Sequence, residues 1–295
     1  MESNVSIVIA NYNSRDTLDE CLLNISKLKN IDDTIVVDNA SADNSALMVK
    51  KKYPWVNLIS LKENKGIAYS YNLGIKKTNS RYILFLGSDA FPNDKTIEGL
   101  SNYLDKNSKT GIVVPKLITR SGEIDMDGHR GFPTPWVSFT HFSKLDKLFP
   151  KSKLFSGYFL GSLDIESLHE IDLCISHFML VRRDTIKKVG LFDEDFFVFG
   201  EDVDFCYRVK EGGWKIVYSP KYSAIHYKGV SIGTRKETKD ISKASIETKK
   251  KMITQSTRAM NLFYKKHYMN KYPKIVNYPI LFAIKVLGKI RSARI

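Results

Sequence analysis

Between Phe199 and Arg208 the chain reads Phe-Gly-Glu-Asp-Val-Asp-Phe-Cys-Tyr-Arg, so Glu201, Asp202 and Asp204 crowd three carboxylates into an otherwise apolar and aromatic stretch. A helix beginning near Glu201 sets Asp202, Phe205, Cys206 and Val209 at i, i+3, i+4 and i+7, the spacing of one helical face. Asp202 then points inward with the apolar residues, a burial that a carboxylate needs a reason for. Glu201, Asp204 and Arg208 share a neighbouring face, and acid at a helix start suits the positive end of its dipole. A solvated, acid-rich helix start explains the same residues, and the rest of the chain has to separate the two readings.

Four further positions carry potential chemistry. Asp38 ends an Ile-Val-Val strand, where a carboxylate can accept from a nucleotide base or ribose; an Asx-type turn explains it equally well, with Asn39, Ser41 and Asp43 alongside. Asp89 also follows an apolar strand and is open to the same two explanations. Lys65-Gly66 opens a helix directly after a strand, a setting that suits phosphate oxygens, although one Gly is far short of a phosphate-loop pattern. His226 lies in a short apolar run and reads first as a core histidine. His129, His141, His169, His177 and His267 show no metal-ligand spacing with one another.

The elements that must position these residues alternate. Val5–Ala10, Thr34–Val37, Val56–Leu61 and Tyr82–Leu86 are short β-branched runs with polar ends, separated by helical patterns. One such helix follows Ser14, a suitable N-cap, with Leu18, Cys21, Leu22 and Ile25 at helical spacing; another runs to about Lys77. This is the pattern of βα units and a parallel sheet, in which ligands bind beyond the carboxyl ends of the strands. Gly111–Val114, Ile171–Val181 and Trp214–Tyr218 are further strand candidates, Gly122–Trp136 reads as a long loop, and residues 245–268 look helical.

With 295 residues, 43% of them hydrophobic and 12% aromatic, the chain can bury a sizeable core and is not expected to be disordered. Cys21, Cys174 and Cys206 form no CxxC pair and sit in apolar surroundings, which favours a reducing compartment. The amino terminus lacks a basic n-region, and no run of 18 apolar residues suggests a membrane span. The net charge of +14 is confined to one end: residues 228–295 hold 17 Lys and Arg against 3 Asp and Glu, and the remainder is neutral. A neutral body with a basic end argues for a tethering surface. Within that end, Ile280–Leu287 is too short to span a bilayer but suits an interfacial helix on anionic lipid, flanked by Lys285, Lys289, Arg291 and Arg294.

Taken together the motifs resemble family 2 glycosyltransferases. Asn11-Tyr12-Asn13, Val36-Val37-Asp38-Asn39-Ala40-Ser41, Asn64-Lys65-Gly66 with Asn72-Leu73-Gly74, and a strand ending at Asp89 are similar to the family's nucleotide-sugar half. Phe178-Met-Leu-Val-Arg-Arg183, Val189-Gly-Leu-Phe-Asp193, Glu201-Asp202-Val203-Asp204 with Arg208, Gly213-Trp214 and His226 resemble the acceptor half, especially of rhamnosyltransferase-like members.

The resemblance implies an α/β GT-A fold over residues 1–232: a mostly parallel central sheet with helices on both faces, residues 1–110 forming the nucleotide-sugar half and 111–232 the acceptor half. Residues 233–295 remain as a basic, helical, membrane-associating extension. It implies an inverting transfer of a sugar, rhamnose or another hexose, from a nucleotide-diphosphate donor to a lipid-linked or cell-surface polysaccharide acceptor. Asn11, Tyr12, Asp38, Asn39, Lys65, Gly66, Asn72 and Asp89 would bind the donor, and Asp89 and His226 would hold Mg²⁺ or Mn²⁺. Asp202 matches the general base, with Glu201 beside it in the catalytic acidic pair. Two departures stand out: Gly87-Ser88-Asp89-Ala90 lacks the usual second acidic element, and Ser176-His177 replaces a small Gly-Ala pair, placing a polar ring near the expected acceptor.

Two other functions compete. A sugar nucleotidyltransferase is expected to carry a Gly-rich basic loop after the first strand, where this chain has Asn11-Tyr12-Asn13-Ser14-Arg15. A nucleic-acid-binding module could use Tyr264, His267, Tyr268 and Tyr272 among the tail's basic residues, but Ile280–Leu287 fits a membrane interface better, so no nucleic acid is expected. The expected location is cytoplasmic, peripheral on the inner face of the cell membrane. The apolar tail is also suited to pairing with a second copy of the chain.

Overall fold

A computed structural model describes residues 4–228 and 245–293. Its first part alternates β1 (Val5–Asn11), α1 (Arg15–Ile25), β2 (Asp33–Asp38), α2 (Ser45–Lys52), β3 (Asn57–Ser60), α3 (Ile67–Ile75) and β4 (Tyr82–Gly87). A two-residue β5 (Ala90–Phe91) leads into α4 (Asp94–Lys106), where Asn93 Oδ1 accepts from the Thr96 N–H as an N-cap, and then β6 (Thr110–Thr119). After a 3₁₀ turn at Met126–Gly128 come α5 (Pro135–Phe142), α6 (Leu145–Leu148), β7 (His169–Ile171), β8 (Phe178–Arg182) and α7 (Arg183–Val189). The chain continues through α8 (Glu201–Glu211), β9 (Lys215–His226), α9 (Ile246–His267) and α10 (Lys274–Ala293).

One sheet carries the strands in the order β3-β2-β1-β4-β8-β6-β9-β5, with β7 also on β9. Strands β1, β2, β3 and β4 are mutually parallel, but β8 runs antiparallel to both β4 and β6, and β9 is antiparallel to β5 and β7. The sheet is therefore mixed: β1–β4 and the long β6–β9 pair are parallel, and β8, β5 and β7 join antiparallel. Residues of β1 and β4 are buried on both faces, which is why they read as continuous apolar runs. Ile7 and Ile9 pack with Leu18, Cys21, Leu22, Leu100 and Leu104 from α1 and α4; Val8 packs on the other face with Ala68, Tyr71, Phe205 and Val209 from α3 and α8.

Several local expectations change. The Ile171–Val181 run is two strands separated by a crossing segment, and Trp214–Tyr218 is the start of a strand of twelve residues. That strand shifts register against β6 between Pro115 and Lys116 and continues to His226. Ser14 precedes α1, yet its hydroxyl donates to the Tyr12 carbonyl and makes no cap bond. The Ile280–Leu287 run lies inside a helix of 20 residues, and the boundary expected at 232/233 lies outside the described residues. No helix among the described residues is long and apolar enough to cross a membrane.

Asp204 shows what covers the neighbouring face of α8. It is fully buried: Arg208 Nε lies 2.8 Å from one carboxylate oxygen, and Lys266 Nζ and His267 Nε2 each lie 2.7 Å from the other. Lys266 and His267 belong to α9, so the basic end of the chain is locked onto the acidic helix. Phe196, Tyr207, Phe263, Tyr264, Tyr268 and Ile284 form a third apolar cluster at the same junction. Asp204→Asn is expected to lower stability by about 3 kcal/mol, at the lower end for a broken buried ion pair because Lys266 and Arg208 keep some solvent. Burial pushes the Asp204 pKa up, but His267, Lys266 and Arg208 bring it down to about 2. A depressed carboxylate stabilises above its unfolded pKa and loses that contribution as pH falls through the folded value. Denaturation curves of the wild type and Asp204→Asn should therefore converge between about pH 4 and pH 2.

Candidate active site

The carboxyl ends of the adjacent strands β2, β1 and β4 bring together Asp38, Asn11 and Asp89, all expected on the donor side. Asn11, the last residue of β1, donates through Nδ2 to Asp38 Oδ1 at 2.8 Å, and the other Asp38 oxygen accepts from the Ser41 N–H at 3.0 Å. Asp38 thus also closes the Asx-type turn that its neighbours suggest. Asn11 Oδ1 is buried and has no hydrogen-bond partner among the described residues. Tyr12, immediately beyond it, is 41% exposed.

Asn39 clamps the next turn, accepting from the Lys65 N–H and donating to the Gly66 carbonyl at 3.0 Å. Gly66 has φ +90°, and its Ile67 neighbour donates to the Phe197 carbonyl at 2.8 Å, joining the donor side to the segment before α8. A Cβ at Gly66 would meet that carbonyl oxygen at 2.3 Å. Gly66→Ala is accordingly expected to cost about 1–3 kcal/mol or more, visible as a lower denaturation midpoint. The Lys65 ammonium lies over the Tyr69 ring and 3.4 Å from Glu63.

Asn72 also braces a distant segment. Its amide nitrogen donates to the Phe192 carbonyl and to Glu194 Oε1, and its oxygen accepts from the Phe192 N–H. Buried in this way, it holds the 192–194 segment against α3.

Asp89 lies just past β4, and the short β5 that follows pairs Ala90 with His226 at the end of β9. That pairing brings His226 Nε2 to 3.6 Å from Asp89 Oδ1. The antiparallel β8 adds a third group: Gly87 N–H donates to the His177 carbonyl, and His177 Nδ1 lies 3.1 Å from His226 Nε2. Asp89, His177 and His226 each offer one ligand atom within 4.8 Å of the others. His177, expected near the acceptor, is instead part of this cluster.

The donor chemistry fits a divalent cation. His226 donates its Nδ1–H to Asp125 Oδ2 at 2.8 Å, the carboxylate-backed arrangement that orients an imidazole ligand and leaves Nε2 free to bind. Lys228 bridges Asp125 and Asp127 at 2.5 Å each. Burial would lower the His226 pKa, but Asp89 and Asp125 raise it to about 9, so cation binding competes with a proton there. Burial and the adjacent His226 hold His177 below the usual imidazole range. Against the penalty of burial, His226 and His177 keep Asp89 below the usual carboxylate range.

The acidic pair at the start of α8 forms the opposite side. Burial raises the Asp202 pKa, with Arg130 opposing at 4.0 Å, and Asp202 Oδ1 accepts from the Val203 N–H. Burial, then the neighbouring Asp202 charge, push Glu201 up to about 8. Burial thus favours the protonated form of both carboxyls, and the Arg130 guanidinium favours charge on Asp202 rather than on Glu201. Glu201 Oε1 accepts from Ser176 Oγ at 3.2 Å, so adjacent residues Ser176 and His177 link the acidic pair to the Asp89–His226 cluster. Sequence reading missed Asp125 and Arg130. Their only signal was a carboxylate-rich stretch, Asp125-Met-Asp127, following a strand candidate.

The family model described as glycosyl transferase family 2 matches residues 6–190. A low-salt glycan biosynthesis hexosyltransferase of Haloferax volcanii is 24% identical over 230 residues, covering 77% of this chain and 68% of that protein. An N-acetylglucosaminyl-diphospho-decaprenol L-rhamnosyltransferase of Mycobacterium tuberculosis is 24% identical over 210 residues, 68% of this chain and 67% of its own length. Among solved structures, the mannosyltransferase PcManGT of Pyrobaculum calidifontis, in complex with GDP-Man and Mn²⁺, superimposes with a TM-score of 0.58 at 14% identity. The match covers 99% of this chain and 73% of that one. S. aureus TarS gives 0.54 at 16% identity, covering 90% and 74%. These neighbours share the GT-A fold, and with the matched model spanning more than half of its length, the chain belongs to glycosyl transferase family 2 and is a glycosyltransferase.

Proposed function

We propose that this glycosyltransferase inverts the anomeric centre while moving a hexosyl or rhamnosyl group from a nucleotide-diphosphate donor to a lipid-linked or cell-surface polysaccharide acceptor. The observation that carries the reading is the buried acidic pair at the start of α8. One carboxylate, Asp202, faces Arg130 at 4.0 Å, next to a Glu201 that the Ser176 hydroxyl holds. A single displacement needs one base to take the acceptor hydroxyl proton, and no second nucleophile. Asp202 takes that proton, Arg130 orients its carboxylate, and Ser176 fixes Glu201.

Asp38, the free Asn11 oxygen and Tyr12 receive the nucleoside, while Lys65 and the Gly66 turn face the diphosphate. Asp89, His177 and His226 hold a divalent cation, Mg²⁺ or Mn²⁺. A bound cation supplies Lewis-acid stabilisation of charge on the leaving diphosphate. Relatives that act on a diphospho-decaprenol sugar, and folds solved with GDP-Man or UDP-GlcNAc, favour this donor and acceptor chemistry.

The basic end would hold the enzyme at an anionic membrane surface. Arg258, Lys265, Lys285 and Lys289 line a groove of ≈ 880 Å³ between α9 and α10, floored by Leu281 and Ile284. Residues 1–232 are thereby the catalytic unit and 233–295 the membrane-associating extension.

Thermal denaturation with nucleotide diphosphates and their sugars, with Mg²⁺ or Mn²⁺, tests the donor assignment. A matching donor at about 100 times its Kd adds about 2.7 kcal/mol of stability, and only with cation present. A Tm unmoved by any nucleotide with either cation overturns it.

A further inference from the structure

Residues 135–168 are built inside out. The buried residues of this segment are Thr140, Asp146 and Ser156, whereas Trp136, Phe139, Phe142, Leu148, Phe149 and Leu154 are each at least 45% exposed. The buried side is a polar framework: His141 Nδ1 lies 2.6 Å from Asp146 Oδ2, and Thr140 and Ser156 hydroxyls donate to the Val137 and Ser152 carbonyls. The outer side is ordered by ring contacts: Trp136 packs on Phe139 and Phe155, Phe149 packs on Phe155, and the Trp136 indole N–H donates to the Leu154 carbonyl. Exposed apolar surface held in a defined shape signals a partner.

Charge decides which partner. Lys144, Lys147, Lys151 and Lys153 are interleaved with the apolar residues and exposed, and none of the four pairs with a carboxylate among the described residues. Indole and phenyl rings ringed by unpaired lysines match the boundary between headgroups and acyl chains of an anionic bilayer. An ordinary protein–protein patch is depleted in lysine.

The patch is coupled to the candidate base. His141 stacks on Tyr158 with centroids 3.8 Å apart, the Tyr158 hydroxyl lies 3.4 Å from Arg130 Nη1, and Arg130 reaches Asp202. We propose that residues 135–168 form a platform that inserts into the surface of an anionic membrane, bringing the headgroup of a lipid-linked acceptor to Asp202. This rests on the lipid-linked acceptor of the proposed function, and it is distinct from tethering by α9 and α10.

Fluorescence of the full chain carrying Trp55→Phe and Trp214→Phe reports on Trp136 alone, because the chain has three Trp. Vesicles of phosphatidylcholine with phosphatidylglycerol should shift its emission to the blue, and brominated acyl chains should quench it; phosphatidylcholine alone should do so at least about tenfold more weakly. If that background does not fold, the difference between wild type and Trp136→Phe gives the same reading. Phe139→Ser with Phe142→Ser should lower the vesicle affinity at least about tenfold. Vesicle binding with unquenched Trp136 would assign the membrane to the tail alone and overturn the proposal. So would absence of vesicle binding, or a blue-shifted Trp136 without lipid in a self-associated chain. The vesicles contain no acceptor and no donor, so failure of the glycosyl-transfer reading cannot imitate any of these outcomes.

Discussion

Asp202→Asn is expected to lower kcat by about 10²- to 10⁴-fold while leaving donor affinity nearly unchanged. The amide keeps the shape of the side chain, and its oxygen can still accept from the Val203 N–H, so α8 has no reason to move. What it loses is the ability to hold the acceptor's proton. The donor side is assembled from β1, β2 and β4 and does not use Asp202, so the effect should fall on turnover rather than on the donor's Kd. Glu201→Gln makes the matching control: Glu201 already holds its proton near neutral pH, so its loss should cost far less than that of Asp202. Because burial raises the Asp202 pKa, the acid limb of the kcat profile should lie above the ordinary carboxylate range, with activity rising as Asp202 loses its proton. Unchanged turnover in Asp202→Asn would remove this residue from the mechanism.

Asp89→Asn should abolish the cation dependence of donor binding and reduce transfer by about 10²- to 10⁴-fold, the scale of several kcal/mol of lost leaving-group stabilisation. Asp89 is the only carboxylate in the three-residue cluster, so His177 and His226 would be left to hold a hard cation without a charged oxygen. Asp125→Asn acts one step further out. It replaces the charged acceptor of His226 Nδ1–H with a neutral amide, which is expected to weaken cation affinity about 10- to 100-fold. Titration of Mn²⁺ into each variant separates the two, with Tm as the check that both fold. Wild-type cation affinity in Asp89→Asn would make the cluster a buried hydrogen-bonded network rather than a metal centre.

The two sides of the site were unequally legible. Strands β1, β2 and β4 announce themselves because a strand covered on both faces has to be apolar throughout, and the polar residue that ends it marks the mouth of the sheet. Asp38 and Asp89 became candidates that way. Asp202 became one from the period of α8, whose Phe205, Cys206 and Val209 are fully buried as the spacing requires. The same period left the burial of Asp204 open, because a helix pattern shows which residues share a face and not that a second helix covers the next one. The bracing by Asn72, inside α3, was hidden for a related reason: its partners at 192–194 are not visible locally.

From its own residues the chain determines the elements, the fold class and the candidate carboxylates at strand ends and on α8, since each depends on a repeat of two or of 3.6 residues within one segment. Assembly of the site depended on pairings that no local period encodes. The antiparallel entry of β8 beside β4 and the return of β9 to β5 set His177 against His226, 49 residues apart, and Asp125 against His226, 101 residues apart. The inverted surface of residues 135–168 was equally hidden, because its aromatic residues look like core until the fold leaves them outside.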